Sequence, residues 1–269
     1  MATKNSYTFP SRNWIWDRLG ARTFGLILGL AGWTALASVF PNELMPFPQE
    51  TVLLAWGLVE SGAVWEHLGA TIWRTVLGFI GSVLLGAGGG ILMGINNYGQ
   101  KFLTPYTVIG LSIPAIAWAA VGTLVFGFTI WAPVAATSLT TAPFIAVNIW
   151  KGTDNIKSDL VTMSRSFDVS RRRTIWRLII PNASPMLFSA FRLGLAMSWK
   201  IVTITELFAA SSGVGFKLMQ TYQLYQFEQS WAWATVFIIV ILGVEYGFVK
   251  PLERRVFEYR QDADFNLLG

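Results

Sequence analysis

The sequence contains no cysteine. That removes disulfide frameworks, iron–sulfur clusters and thiol nucleophiles, and it leaves the redox compartment unread. Histidine is nearly absent, with His67 standing alone. A His-Glu-x-x-His zinc motif is therefore excluded, and any serine nucleophile would have His67 as its only histidine base. Both absences argue against a membrane enzyme, and His67, beside Glu66, reads as a polar residue at a membrane edge. No Gly-x-x-x-x-Gly-Lys-Ser/Thr loop occurs, so the chain is not expected to cradle nucleotide phosphates. No catalytic, cofactor or metal residue is expected on it. Charge is scarce too: 13% of residues are charged and 53% hydrophobic, far from the soluble balance. An all-α integral membrane protein is the expected class. Basic residues are missing from 41–66, which holds Glu43, Glu50, Glu60 and Glu66.

The charge that is present, a net +5, collects in a few segments, as membrane orientation requires and nucleic-acid binding does not. Residues 1–23 carry Lys4, Arg12, Arg18 and Arg22. With no clear small-residue cleavage site after the next apolar run, they read as a retained cytoplasmic tail. Apolar runs over 24–40, 67–94, 104–126, 129–150, 185–210 and 231–249 predict about six transmembrane helices. Between the first two, 49–64 reads as a surface helix with Val52, Leu53, Trp56 and Val59 on its apolar face. Lys101 falls in one expected inner segment, and Lys151, Lys157, Arg165, Arg171, Arg172, Arg173 and Arg177 fall in another. Lys250, Arg254, Arg255 and Arg260 fall in the last, whereas the expected outer segments contain only Lys217. The positive-inside rule thus puts both termini in the cytoplasm. The implied division is a tail over 1–23, a membrane domain over 24–250 and a second tail over 251–269.

Several features inside the spans carry expectations. Gly78, Ser82, Gly86, Gly90 and Gly94 recur every fourth residue, a small-residue strip along one helix face that lets another helix approach closely. Pro114, Pro133 and Pro143 predict kinks, with the third span broken at Pro114. Arg74 and Arg192 lie toward span ends and are expected to snorkel. Lys200 and Glu206 sit within the fifth span, where ionisable groups are costly and mark function by default. Six apart, they occupy different helix faces.

The longest segment that cannot sit in lipid runs over 158–181, inside a loop spanning 151–182 between the fourth and fifth spans. Leu160, Met163 and Phe167 recur at helical spacing, so its first half reads as a short amphipathic helix. Asp168 follows, a residue tolerant of a left-handed turn and able to cap a following helix. A second helical run is expected over roughly 170–180, ending near Pro181. Two short helices joined by a corner on the cytoplasmic side suggest a docking surface.

This block resembles the cytoplasmic loop of permease subunits of ATP-binding-cassette importers. The family signature is Glu-Ala-Ala, three residues, Gly, nine residues, then Ile-x-Leu-Pro. Thr162, Met163 and Ser164 take the Glu-Ala-Ala places; Asp168 takes the Gly place; Leu178, Ile180 and Pro181 match the end. The spacing agrees, while Thr162 and Asp168 depart from the characteristic letters. Pro46-Phe47-Pro48, the run 113–118, Phe126-Gly127-Phe128 and the run 148–152 resemble one subgroup, the permeases of nitrate, bicarbonate, taurine and alkanesulfonate importers. Ala196-Met197-Ser198-Trp199, Thr205-Glu206-Leu207 and Gly213-Val214-Gly215-Phe216 do so as well. The resemblance implies a membrane-spanning subunit forming the pathway for a small solute, such as nitrate, bicarbonate or a sulfonate, in a prokaryotic cytoplasmic membrane. It implies two ATP-binding subunits, which carry ATP and magnesium and dock at Leu160, Thr162, Met163, Ser164, Phe167, Asp168 and Pro181. It implies also a second permease copy and an extracytoplasmic solute-binding protein. Pro114, Trp118, Lys200 and Glu206 are the candidate pathway residues. The alternative is an ion-gradient-driven secondary transporter, for which neither buried acid sites nor an internal repeat is evident.

Overall fold

A computed structural model describes residues 13–154, 163–164, 166–174, 177, 180–253 and 255. Every regular element among them is helical: α1 (Asn13–Ala37), α2 (Pro48–Glu60), α3 (Ala63–Ile95), α4 (Asn97–Ser112) and α5 (Ala115–Phe126) come first. Then follow α6 (Trp131–Asp154), α7 (Arg171–Thr174), α8 (Ile180–Ala209), α9 (Val214–Gln223) and α10 (Phe227–Val244), which runs into a π-helical turn, Glu245–Val249. Four stretches are long and apolar enough to cross a membrane: Ala63–Gly94, Trp131–Gly152, Met186–Ala209 and Phe227–Glu253. The pair α4–α5 makes a fifth if counted as one broken span. The apolar part of the first expected span, Thr23–Ala37, is shorter than these and falls below the ~20 residues a straight crossing needs.

The third expected span, 104–126, is refined by this arrangement. The break expected at Pro114 is present, but the first helix begins at Asn97 rather than 104, and the two helices meet at 98°. Ile113 (φ −74°, ψ 124°) and Pro114 (φ −59°, ψ 142°) both leave the helical region. Proline lacks the donor a continuing helix needs, and it disfavours helical geometry in the residue before it. The expected surface helix is also corrected. It ends at Glu60, and Gly62, at φ 76°, turns the chain into α3. Pro48 occupies its first turn, where its missing N–H costs nothing, and the Glu50 carboxylate accepts the Phe47 N–H at 3.2 Å. Its buried face is Thr51 and Ala55, whereas Val52, Leu53 and Trp56 point outward. Around a membrane protein an outward apolar face has lipid to meet.

The centre of the molecule is the α3–α6 crossing. A Cβ on Gly78 would stand 2.8 Å from that of Thr137; one on Gly86 would stand 2.7 Å from the Ala142 carbonyl; one on Gly90 would stand 2.6 Å from the Ala146 carbonyl. Ser82 Oγ donates to the Gly78 carbonyl at 2.7 Å. The strip therefore exists over Gly78, Ser82, Gly86 and Gly90, and Gly94 is exposed. A second core joins α2, α3, α9 and α10 through Ala55, Val64, Leu68, Val214, Ala232, Trp233 and Val236. At the same end Trp33 Nε1 donates to the Pro46 carbonyl and Trp231 Nε1 to that of Leu44, each at 3.1 Å. The two indole rings lie 5.5 Å apart. This end, with α9, is opposite the corner that links α6 to α8.

Candidate functional site

The corner is built by a left-handed residue. Residues 163, 164 and 166 are helical, and Asp168 has φ 52°. The Val169 N–H donates to the Ser164 carbonyl at 3.0 Å, and the Phe167 N–H to that of Met163 at 3.1 Å. The first bond spans six residues and closes the helical turn as a Schellman motif does, with Asp168 in the position usually held by glycine. The tolerance expected of Asp168 is thus used, and the family letter at this place is explained by the backbone. Ser164 is buried, and the Thr174 hydroxyl donates to its Oγ at 3.3 Å, tying α7 to the turn. Met163 is 49% exposed and Phe167 75%. Leu160 and Thr162 lie outside the described residues. Pro181 falls in the first turn of α8, where proline is tolerated. Of the second helical run expected over 170–180, Arg171–Thr174 is α-helical and Arg177 and Ile180 are helical too, while 175, 176, 178 and 179 lie outside the described residues.

At the opposite end a carboxylate is enclosed. Glu206, from α8, is fully buried. Its Oε1 accepts from Arg74 Nη1 at 2.7 Å. Its Oε2 accepts from the Thr71 hydroxyl at 2.8 Å and from the Gly215 N–H at 3.1 Å. Arg74 Nη1 also donates to the Ser212 carbonyl at 2.6 Å, and Nη2 to Ser212 Oγ at 2.9 Å. The Val214 N–H donates to Thr71 Oγ1 at 2.8 Å, and the Gly213 N–H to His67 Nδ1 at 3.2 Å. The first N–H groups of α9 have no helical partners, and here Glu206, Thr71 and His67 satisfy them. Gly213 has φ 111°, and a Cβ there would strike the Glu206 carboxylate. One at Gly215 would strike the Thr203 carbonyl. The runs Thr205-Glu206-Leu207 and Gly213-Val214-Gly215-Phe216 are therefore two halves of one enclosure.

Several sequence expectations are corrected here. Arg74 does not snorkel; its side chain is 7% exposed and ion-paired. His67 is not a free polar residue at the membrane edge. It is half-buried, bonded to Gly213 and packed edge-on to Trp233 at 5.6 Å. Arg192 also has carboxylate partners, bonding Glu245 and, at 2.9 Å, Glu253. It pins α8 to the π-helical end of α10. Thr71, Ser212, Glu245 and Glu253 were missed. The available signal was two opposite charges, Arg74 and Glu206, each toward the same end of its own span.

The candidate pathway residues separate. Pro114 is exposed at the α4–α5 bend. Trp118 lines an apolar cavity of about 340 Å³ between α3, α4, α5 and α6, together with Thr107, Gly110 and Pro143. Its indole N–H is buried and lacks a partner among the described residues. Lys200 is exposed on α8, away from the enclosed Glu206.

The chain matches, over residues 82–257, the family described as binding-protein-dependent transport system inner membrane component. It is 27% identical over 254 residues to an aliphatic sulfonates transport permease protein, SsuC, of Bacillus subtilis, covering 91% of this chain and 92% of the relative. It is 27% identical over 219 residues to the formylaminopyrimidine transport permease protein ThiX of Halalkalibacterium halodurans, covering 81% of this chain and 86% of that one. Among solved structures, a chain of the inward-facing MetNI methionine ABC transporter superposes with a TM-score of 0.62 at 19% identity. The match covers 72% of this chain and 94% of that one.

Proposed function

Because the chain belongs to the binding-protein-dependent transport system inner membrane components, we propose that it forms the pathway by which a small sulfonate-like anion enters the cell. It is the membrane-spanning permease subunit of an ABC importer. ATP hydrolysis, with magnesium, belongs to two separate subunits. A solute-binding protein delivers cargo from outside, and a second permease copy completes the pathway. The membrane is the prokaryotic cytoplasmic membrane, with both termini inside. Residues 1–23 and 251–269 flank the transmembrane domain as cytoplasmic tails, and the corner of 151–182 faces the ATPase.

The observation that carries this reading is the corner. Its Schellman closure holds Phe167, 75% exposed, out of a strongly basic loop. An apolar ring in such a place needs cover, and an ATPase groove supplies it. The turn is short and internally bonded, so motion of the docked partner is passed to α6 and α8 and through the α3–α6 strip to the spans. The ion-gradient alternative is disfavoured by Glu206: both of its oxygens are engaged by Arg74, Thr71 and Gly215, and its charge is already paired with Arg74 rather than offered to a travelling cation.

The test is Phe167→Ala on a tagged permease. Loss of a central aromatic anchor costs roughly 2 kcal/mol, about thirtyfold in affinity. ATPase co-purification should fall accordingly while the thermal stability of the permease alone holds. Asp168→Gly, which keeps the left-handed corner, should retain both. A destabilised permease that still retains its ATPase sinks the docking reading.

A further inference from the structure

Helix α8 packs against α3, α5, α6 and α9, and one stripe along it stays open. Ser189, Leu193, Ala196 and Lys200 are exposed, while Ala190, Gly194, Ser198, Trp199, Ile201 and Val202 are buried. The open residues recur at helical spacing, so they form one line along the helix. Two of the three ionisable side chains in the crossing stretch Met186–Ala209 have partners: Arg192 bonds Glu245 and Glu253, and Glu206 bonds Arg74. Lys200 makes no ion pair or hydrogen bond among the described residues. It stands fourteen residues above Met186 and nine below Ala209, about 21 Å and 14 Å along the axis at about 1.5 Å per residue. A lysine stem reaches roughly 6 Å, too short to bring the ammonium to either end. An unpaired ammonium held at that depth against lipid is costly, and such groups face water-filled routes instead.

We propose that the open stripe of α8 lines the translocation pathway and that Lys200 supplies its fixed positive charge, making the route selective for small anions over neutral or cationic solutes. This rests on the import reading and decides within it. Of the two named relatives, one carries sulfonates in its name and the other a formylaminopyrimidine, and a cationic waist favours the sulfonate class. Ala196, one turn below, leaves room beside the ammonium for a bulky headgroup.

The absence of native cysteine permits a test independent of cargo. In the full transporter with its ATPase, A196C is reacted with sulfonatoethyl methanethiosulfonate and with its trimethylammonium analogue. Ile239→Cys, on the exposed face of α10, serves as the lipid-facing reference. A196C should react with both reagents at least tenfold faster than I239C. A unit charge one turn away, about 6 Å, favours the anion and opposes the cation. In a water-like medium the anionic-to-cationic rate ratio should therefore fall about tenfold when K200M is added. Uptake of labelled ethanesulfonate should fall at least tenfold in K200M and persist in K200R. An unreactive A196C, or a rate ratio unmoved by K200M, overturns the proposal. Wild-type protein that fails to import ethanesulfonate, yet shows the Lys200-dependent ratio, overturns the sulfonate cargo and leaves the charged pathway standing.

Discussion

At the scale of single residues, the molecule spends its buried charge on joining chain segments rather than on chemistry. Arg74 and Glu206 are far apart in sequence, and their 2.7 Å contact holds α3 to α8. The carboxylate also receives the Gly215 N–H at the start of α9, where the helix dipole favours negative charge. Removing one member of a buried pair strands the other, which typically costs about 3–5 kcal/mol. Arg74→Met should therefore lower the thermal midpoint of the purified subunit severely. The charge swap Arg74→Glu with Glu206→Arg separates an ion pair from a capped helix. A simple pair would recover stability. Here the swap brings guanidinium donors to the Gly215 and Thr71 donors, so the midpoint should stay near that of the single variants; full recovery would refute the capping role.

At the scale of elements, the α3 strip was legible because its signal is local: glycine or serine every fourth residue lies on one face whatever the rest of the chain does. The break at Pro114 was legible, but its 98° size depends on Ile113 turning extended as well. The apolar face of α2 was legible but not what meets it: apolar residues define the inside only where the outside is water, and Val52, Leu53 and Trp56 point outward. The strip yields a graded prediction. At Gly90 an added Cβ lies 2.6 Å from the Ala146 carbonyl and 2.7 Å from Ile149 Cβ, whereas at Gly88, on the same helix, nothing lies within 4 Å. Overpacking costs on the order of 1–3 kcal/mol. Gly90→Leu, and Gly86→Leu by the same crowding, should lower folded yield and thermal stability, and Gly88→Leu should leave both unchanged. Equal behaviour of the variants would remove close approach from the account of α3.

At the scale of the whole molecule, composition marks a membrane protein, and the spacing of the loop motif locates the corner. What sequence withholds is which spans meet. His67, Thr71 and Arg74 find Ser212, Gly213 and Val214 only through the fold, so His67 and Arg74, which each looked like an edge polar, prove to be anchors, the first half-buried and the second buried. The proposed orientation rests on basic residues alone: Lys217 is the only one in the expected outer segments, and cytoplasmic loops accumulate Lys and Arg. The structure makes that orientation testable without ambiguity from burial, because Ser61, Gln226 and Ser170 are all exposed. Ser61 joins α2 to α3, and Gln226 joins α9 to α10, elements that share the core at the α9 end. Ser170 precedes α7 at the corner. In a chain free of native thiols, Ser61→Cys and Gln226→Cys should react with a membrane-impermeant maleimide applied to intact cells. Ser170→Cys should react only after the membrane is opened. Labelling of Ser170→Cys from outside would invert the molecule, put the exposed Phe167 on the side without ATP, and with it refute the docking corner.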